Sequence, residues 1–245
     1  MRVAILGGTK GMGRAMARLL AGRGDSVALL GRDIDELERS SADLAVRSGK
    51  PAAGCVACDL EQPDTFAAAL EAAETALGGL DAVVVTAGMF ATQDVLEEDL
   101  EFTRRMLTVN FTHTVLFCEH ARHRLLASGG GILCAFSSVA GDRGRKPVVL
   151  YGASKAGLSS YLEGLDHRYR DQGLVTVCVK PGFVRTSMTA GLAEPPFAAE
   201  PEAVAAAAVR AIDRAAPLLY APATWGLVMA VIKRLPRFVM RRVKF

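Results

Sequence analysis

Arg2-Val3-Ala4-Ile5-Leu6-Gly7-Gly8-Thr9-Lys10-Gly11-Met12-Gly13 opens the chain with an apolar run of strand length, a glycine-rich turn and the start of an amphipathic helix that runs to about Arg23. Glycines spaced G-x3-G-x-G let main-chain N–H groups come close to a diphosphate, and the helix N-terminus that follows favours an anion. Outward from this unit the same alternation repeats. Apolar runs at 26–30, up to 58, 82–85, 132–137, 174–179 and 218–220 are separated by helical patterns at 34–48, after 60, at 98–127, 151–170 and 203–212. Strand–helix alternation of this kind predicts an α/β fold, a single doubly wound parallel sheet flanked by helices. No linker, repeat or low-complexity tract marks a second globular domain, so residues 1–222 are expected to form one globular body and 223–245 a tail.

The bulk composition suits a globular protein: 51% of the 245 residues are apolar and 22% are charged, which argues against disorder. Met1 runs directly into the first strand, leaving no room for a signal peptide, and the expected location is cytoplasmic. Five cysteines lie mostly in apolar segments, and Cys55-x-x-Cys58 has no second pair or histidine to complete a metal site, so no metal is expected. The net charge of +3 hides an asymmetry. All 26 acidic residues lie at or before Asp213, against 22 basic ones, whereas seven basic residues and no acid follow. The basic residues are confined to the tail without an aromatic ladder, which disfavours nucleic acid as a partner.

The second informative stretch is Ser137-Ser138-Val139-Ala140-Gly141 with Tyr151-Gly152-Ala153-Ser154-Lys155. A tyrosine and a lysine four apart share one helix face, and Ser138 sits where an apolar strand ends. With the glycine turn, Asn110 and Pro181-Gly182, these residues resemble the short-chain dehydrogenase/reductase family over nearly the whole chain. The resemblance implies a Rossmann-type sheet, a nicotinamide cofactor, and Asn110, Ser138, Tyr151 and Lys155 as the catalytic tetrad. Tyr151 is then the acid/base and Ser138 binds the substrate oxygen. Lys155 binds the nicotinamide ribose and, with the charge of the oxidised nicotinamide, lowers the tyrosine pKa toward working pH, and Asn110, at a helical kink, holds a relay water. Ser137 competes with Ser138, but the Ser-x-x-Gly register favours Ser138.

By the same resemblance the cofactor is held by Gly7, Thr9, Lys10, Gly11, Met12, Gly13, Arg32, Asp59, Leu60, Ala87, Gly88, Tyr151, Lys155, Pro181, Gly182, Val184 and Thr186. Asp59 would lie beside the adenine or, alternatively, cap a helix. Val85-Thr86 departs from the family's Asn-Asn before Ala-Gly. The second strand ends in Gly31-Arg32 where an acid would hold ribose hydroxyls. Arg32 and Lys10 are instead placed to meet a 2′-phosphate, so NADP(H) is expected over NAD(H), which Asp33 keeps open.

Residues 137–143, 151–158, 181–188 and the tail resemble the branch that reduces a decaprenylphosphoryl 2-keto-ribose. That likeness implies a lipid-linked keto sugar as substrate. Two alternatives stay open: a soluble 3-oxoacyl or secondary-metabolite ketoreductase, and a non-catalytic dinucleotide-sensing protein. A homodimer or homotetramer is expected. Residues 188–201 read as a substrate-side flap, with Arg143, Arg145 or Lys146 available for a substrate phosphate. In the tail, apolar residues from Trp225 to Met240 alternate with Lys233, Arg234, Arg237, Arg241, Arg242 and Lys244. The run Leu227–Ile232 is far short of the roughly 20 residues a spanning helix needs. An amphipathic basic helix lying in a membrane interface and kinked at Pro236 is expected; the alternative is packing on the body or a neighbouring subunit.

Overall fold

The structure, a computed structural model, describes residues 1–242, so Lys244 of the tail lies outside the described residues. Seven strands form one sheet: β1 (Arg2–Leu6), β2 (Ser26–Gly31), β3 (Gly54–Ala57), β4 (Ala82–Val85), β5 (Gly131–Phe136), β6 (Leu174–Pro181) and β7 (Leu218–Ala221). Their order is β3-β2-β1-β4-β5-β6-β7 and every pairing is parallel. The helices are α1 (Gly11–Gly22), α2 (Ile34–Ser48), α3 (Phe66–Leu77), α4 (Gln93–Glu98), α5 (Leu100–Leu107), α6 (Thr114–Ala127), α7 (Val149–Tyr169), α8 (Pro201–Asp213), α9 (Thr224–Ile232) and α10 (Arg237–Met240).

The two-residue period of β1 divides the core. Val3 and Ile5 face one layer with α1, α2 and α8, whereas Ala4 and Leu6 face the other with α3, α6 and α7. On the second face Phe66 meets Phe117 edge-on at 5.4 Å, both fully buried; truncating such a ring costs roughly 3–5 kcal/mol. Local signals agree with these layers. Asp33 caps α2 by accepting from the Glu36 N–H at 3.1 Å, and Gly49 ends it at φ +73°.

The expected single helix over 98–127 is instead three helical pieces. Asp99 leaves the helical region (φ −115°, ψ 91°) and its carboxylate caps α5 through the Phe102 N–H at 2.8 Å. Between α5 and α6 the residues Thr108–His113 form a π-helical turn. Helical periodicity survives such a one-residue insertion, which is why the break is invisible in the pattern of apolar residues.

Register brings the strand ends level. Leu6 pairs with Leu30 and with Val85, Val85 pairs with Ala135, and Phe136 pairs with Val179. The turns after β1, β4, β5 and β6 therefore meet at the carboxyl edge of the sheet, about the point between β1 and β4 where the strand order reverses. That is the place where doubly wound sheets bind ligands.

Candidate active site

The first wall of the site is the turn after β1. Gly7 has φ +89°, and a Cβ on Gly13 would lie 2.2 Å from the Gly7 carbonyl oxygen, so only glycine lets α1 start this close to the strand. Lys10 stands at the N-cap of α1 without a side-chain cap, and no acid occupies the first turn. A helix of 12 residues with an open N-terminus above a glycine cradle fits a dinucleotide diphosphate. Thr9 and Met12 are half-buried in this turn, and Met12 packs into the core beneath it. Thr86, one of the two departures from Asn-Asn, donates its hydroxyl toward the carbonyls of Leu6 (3.2 Å) and Gly7 (3.1 Å), and Ala87 N–H reaches Leu6 O at 3.3 Å. A threonine here therefore ties the β4 end to the glycine turn.

Lys10 and Arg32 are both exposed, and neither forms an ion pair among the described residues. Arg32 lies near enough to Glu61 to stabilise its carboxylate, but Glu61 is already held bidentately by Arg105 at 2.7 and 2.5 Å. Asp59 accepts from the Glu61 N–H at 3.0 Å, closing a turn ahead of the short 3-10 helix at 63–65. It thus stabilises the turn rather than capping an α-helix. The Leu60 carbonyl accepts from His113 Nδ1 at 2.5 Å, so its side chain is the part that faces the core.

The second wall holds the residues of the expected tetrad. Ser138 ends the extended segment after β5 and accepts from the Ala140 N–H at 3.1 Å, which turns the chain into a single 3-10 turn at 139–141. A Cβ on Gly141 would lie 2.6 Å from the Lys155 carbonyl carbon, and one on Gly152 would lie 2.8 Å from the Ala140 oxygen. These two glycines let the turn press on the backbone of α7, which brings the Ser138 and Tyr151 side chains together. Ser137 points away, donating to the Lys155 carbonyl at 2.8 Å and pairing with Ser159.

Burial pushes the Tyr151 phenol up to about 12, with the Ser138 hydrogen bond opposing it. Burial also pulls Lys155 down to about 8. Its ammonium donates to the Phe136 carbonyl at 3.0 Å and stands 5.8 Å from the Tyr151 ring centroid. The expected lowering of the tyrosine pKa rests on Lys155 together with an oxidised nicotinamide; in the protein without its dinucleotide, burial of the phenol sets the direction. Asn110, buried within the π-helical turn, spends its amide on one residue. Its Oδ1 accepts from Met89 N–H and its Nδ2 donates to Met89 O, both at 2.7 Å. Gly88 lies under it, where a Cβ would be 3.2 Å from Asn110 Oδ1 and 3.7 Å from Lys155 Nζ. The kink expected at Asn110 is thus a π turn that aims the side chain at the end of β4.

The third wall follows β6. Thr186 packs within 3.2 Å of the Cβ position of Gly11, so the Pro181–Thr186 run closes over the glycine turn. Val184 is buried and bridges Ala199, and Arg185 ion-pairs with Glu194 and, at 2.7 Å, with Glu200, which holds residues 188–200 as a flap. The tail meets this wall. Trp225 fills the space beside Gly182, its Nε1 only 2.0 Å from where a Cβ would be, and its ring meets Phe197 of the flap edge-on at 6.2 Å. Arg143, expected to be available for a substrate phosphate, donates through Nη2 to the Leu235 carbonyl at 2.8 Å and so ties the loop after the Ser138 turn to the tail.

Four features of the site carried no readable signal in the sequence. Phe90 packs edge-on against Tyr151 at 5.0 Å. Trp225 borders the flap. Asp142, buried beside the catalytic turn, pairs with Lys180 at 2.6 Å and accepts from the Tyr220 hydroxyl at 2.6 Å. Arg185 staples the flap. Each depends on contacts between residues 9 to 78 apart in the chain and has no local motif.

Comparison with known proteins gives a consistent picture. A short chain dehydrogenase family profile matches residues 1–196. An uncharacterised oxidoreductase of Mycobacterium tuberculosis is 32% identical over 98% of this chain and 96% of its own length. Carbonyl reductase family member 4 of Xenopus tropicalis is 29% identical over 78% of each chain. A short-chain type dehydrogenase/reductase from Mycobacterium ulcerans has the same fold, with a TM-score of 0.81 at 24% identity over 89% of this chain and 86% of that one.

Proposed function

The chain belongs to the short-chain dehydrogenase/reductase family, and from that membership we propose an NADP(H)-dependent oxidoreductase that interconverts a ketone and a secondary alcohol at Tyr151. The family makes it an oxidoreductase working with a nicotinamide dinucleotide. One observation carries the finer reading: Ser138, Tyr151 and Lys155 converge, with Asn110 behind them, on the carboxyl edge of the sheet beside an open helix N-terminus.

A bound dinucleotide supplies a hydride and, once oxidised, a positive charge. Ser138 Oγ donates to the carbonyl oxygen and holds it against Tyr151. In reduction Tyr151 Oη gives its proton to that oxygen as alkoxide character develops. Burial alone keeps this phenol protonated up to about 12, so the protein by itself is set for proton donation. The reverse direction needs the tyrosinate, and it is here that the Lys155 ammonium contributes. Asn110 keeps the 88–89 turn against Lys155, where a relay water would pass.

The preference for NADP(H) is supported by Lys10 and Arg32, exposed at the ends of β1 and β2, with Gly31 in place of an acid. Wild-type kcat/KM should favour NADPH over NADH by at least tenfold, and Arg32→Asp should move the ratio toward NADH. Equal wild-type values, or an unmoved ratio, defeat this assignment.

For the carbonyl, the reading is a keto sugar borne on a polyprenyl phosphate, with the enzyme acting as a homodimer or homotetramer at the cytoplasmic face of a membrane. It is supported by the agreement of residues 137–143, 151–158 and 181–188 with that reductase branch. The likeness to the mycobacterial oxidoreductase, which spans nearly the whole chain, supports a shared tail. A soluble ketoreductase is the second reading, favoured by the likeness to carbonyl reductase family member 4. NADPH oxidation measured with a detergent-solubilised keto-sugar phospholipid and with small ketones and 3-oxoacyl thioesters separates them. Turnover of the small carbonyls alone selects the second, and turnover of none leaves a dinucleotide-sensing protein.

A further inference from the structure

The apolar residues of the tail divide into two sets. Met229 and Ile232 of α9 are buried and form a small cluster with Val139, the residue next to Ser138, with Tyr220, Trp225, Val228 and Met240 packed around it. This set answers the packing alternative for the tail: one face of α9 does dock on the body. The second set does not. Leu227 is 77% exposed, Val231 63% and Phe238 of α10 61%. Leu227 and Val231, four apart, share a helix face. Among them stand Lys233, Arg234, Arg237, Arg241 and Arg242, all exposed, and none forms an ion pair with an acid among the described residues. The segment after Asp213 contains no acid at all.

We propose that Leu227, Val231 and Phe238, with these five cations around them, form a rigid docking face for an anionic lipid bilayer. The occupant follows from chemistry. Three large apolar side chains held in water need an apolar partner, and five uncompensated cations need a negative one in the same place. The boundary between acyl chains and anionic headgroups offers both. No helix among the described residues is long and apolar enough to cross a membrane, so the contact lies in the interface. A second copy of this chain would bring the same cations against themselves, which disfavours it as the occupant. The opposite face of α9 touches Val139, Trp225 touches Gly182, and Arg143 holds the Leu235 carbonyl. The bilayer would therefore meet an element fixed to the catalytic turn and to the flap. This inference bears on a lipid-borne substrate but does not rest on turnover.

The test uses the full chain with vesicles of phosphatidylcholine alone or with a quarter phosphatidylglycerol, read by co-sedimentation and size-exclusion. The wild type should bind the anionic vesicles at low salt and release them at about 0.5 M salt, where screening is short-ranged. Binding should weaken about fivefold for each of Arg234→Gln, Arg237→Gln and Arg241→Gln. The triple variant Leu227→Ser, Val231→Ser, Phe238→Ser should lose at least tenfold while keeping its melting temperature, since all three side chains are exposed. If that variant misfolds, Val231→Glu alone carries the test. A wild type that stays with the supernatant overturns the proposal, as does a triple variant that binds undiminished. A wild-type oligomer that the triple variant breaks into monomers, with neither binding vesicles, assigns the face to a second copy and overturns it too. Because binding is measured without substrate, an inactive but vesicle-bound protein would count against the catalytic reading alone.

Discussion

Two tyrosine–lysine pairs, each a half-buried ring beside a buried ammonium, occur in this molecule, and they share a dimension. Lys155 Nζ stands 5.8 Å from the Tyr151 ring centroid, and Lys180 Nζ stands 5.8 Å from that of Tyr220. The first pair is made by one turn of α7. The second is made by register, because Lys180 of β6 lies opposite Tyr220 of β7. What separates them is a carboxylate. Asp142 reaches both members of the second pair and neither member of the first. With its charge compensated, Lys180 becomes a brace between the loop after β5 and the sheet edge, and Tyr220 is pushed further up by burial and by donating to the carboxylate. Without a carboxylate, Lys155 is left with a depressed pKa and Tyr151 with a proton and a single serine beside it. In the proposed function, reactivity follows from the carboxylate withheld from the first pair.

The comparison breaks most sharply on the phenols. Tyr151→Phe should lower kcat by at least about a thousandfold, within the range for a lost proton donor, while dinucleotide affinity by fluorescence titration stays within about twofold. Tyr220→Phe should leave kcat within about threefold and lower stability by about 1 kcal/mol for its hydrogen bond. Comparable losses of kcat in both variants would erase the distinction.

On the lysines the two pairs should respond in opposite directions. Lys180→Met strands the Asp142 carboxylate in a buried site and should destabilise the protein by about 3–5 kcal/mol, measured by urea unfolding near pH 7. Adding Asp142→Asn should recover part of that loss, because the stranded charge is then gone. If Lys180→Met costs less than about 1 kcal/mol, Asp142 and Lys180 are a dispensable surface pair and the brace is misassigned.

Lys155→Met should stabilise the dinucleotide-free protein while abolishing its activity. The unfolded chain holds this proton to about 10.5 and the folded chain only to about 8. Below pH 8 both states carry it, and the folded state bears the full cost of burying the charge. Between 8 and 10.5 the folded state sheds the proton first, so wild-type stability rises relative to the variant. The gain is thus largest below pH 8, at most about 3 kcal/mol less about 1 kcal/mol for the Phe136 carbonyl left without its donor. It should vanish toward pH 10.5. A stability difference that grows with pH would show that Lys155 is not held against its charge.

The carboxyl-edge site was legible because its chemistry is written in short local patterns. Arg2 to Gly13 encodes a strand, a turn and the start of a helix in 12 residues, and Tyr151 and Lys155 fall on one face by helix geometry alone. The π turn at Asn110 and the break at Asp99 were hidden for the opposite reason. Apolar spacing continues through both, and only hydrogen bonds to Met89 and Phe102 reveal where the helix pauses. The upward push on the Tyr151 phenol in the dinucleotide-free protein was not legible either, since a nearby lysine can be read from spacing but burial by distant segments cannot.

By itself the sequence determined the α/β alternation, the open glycine turn, the serine–tyrosine–lysine spacing and the gathering of cations in an acid-free tail, all of which are properties of neighbouring residues. Only the tertiary structure decided that Gly141 and Gly152 press the serine turn onto α7, that Asp142 serves Lys180 rather than Lys155, and that Met229 and Ile232 are buried while Leu227, Val231 and Phe238 are not. Those outcomes depend on which surfaces meet when distant segments pack, and burial and pairing are set at that contact rather than in the chain.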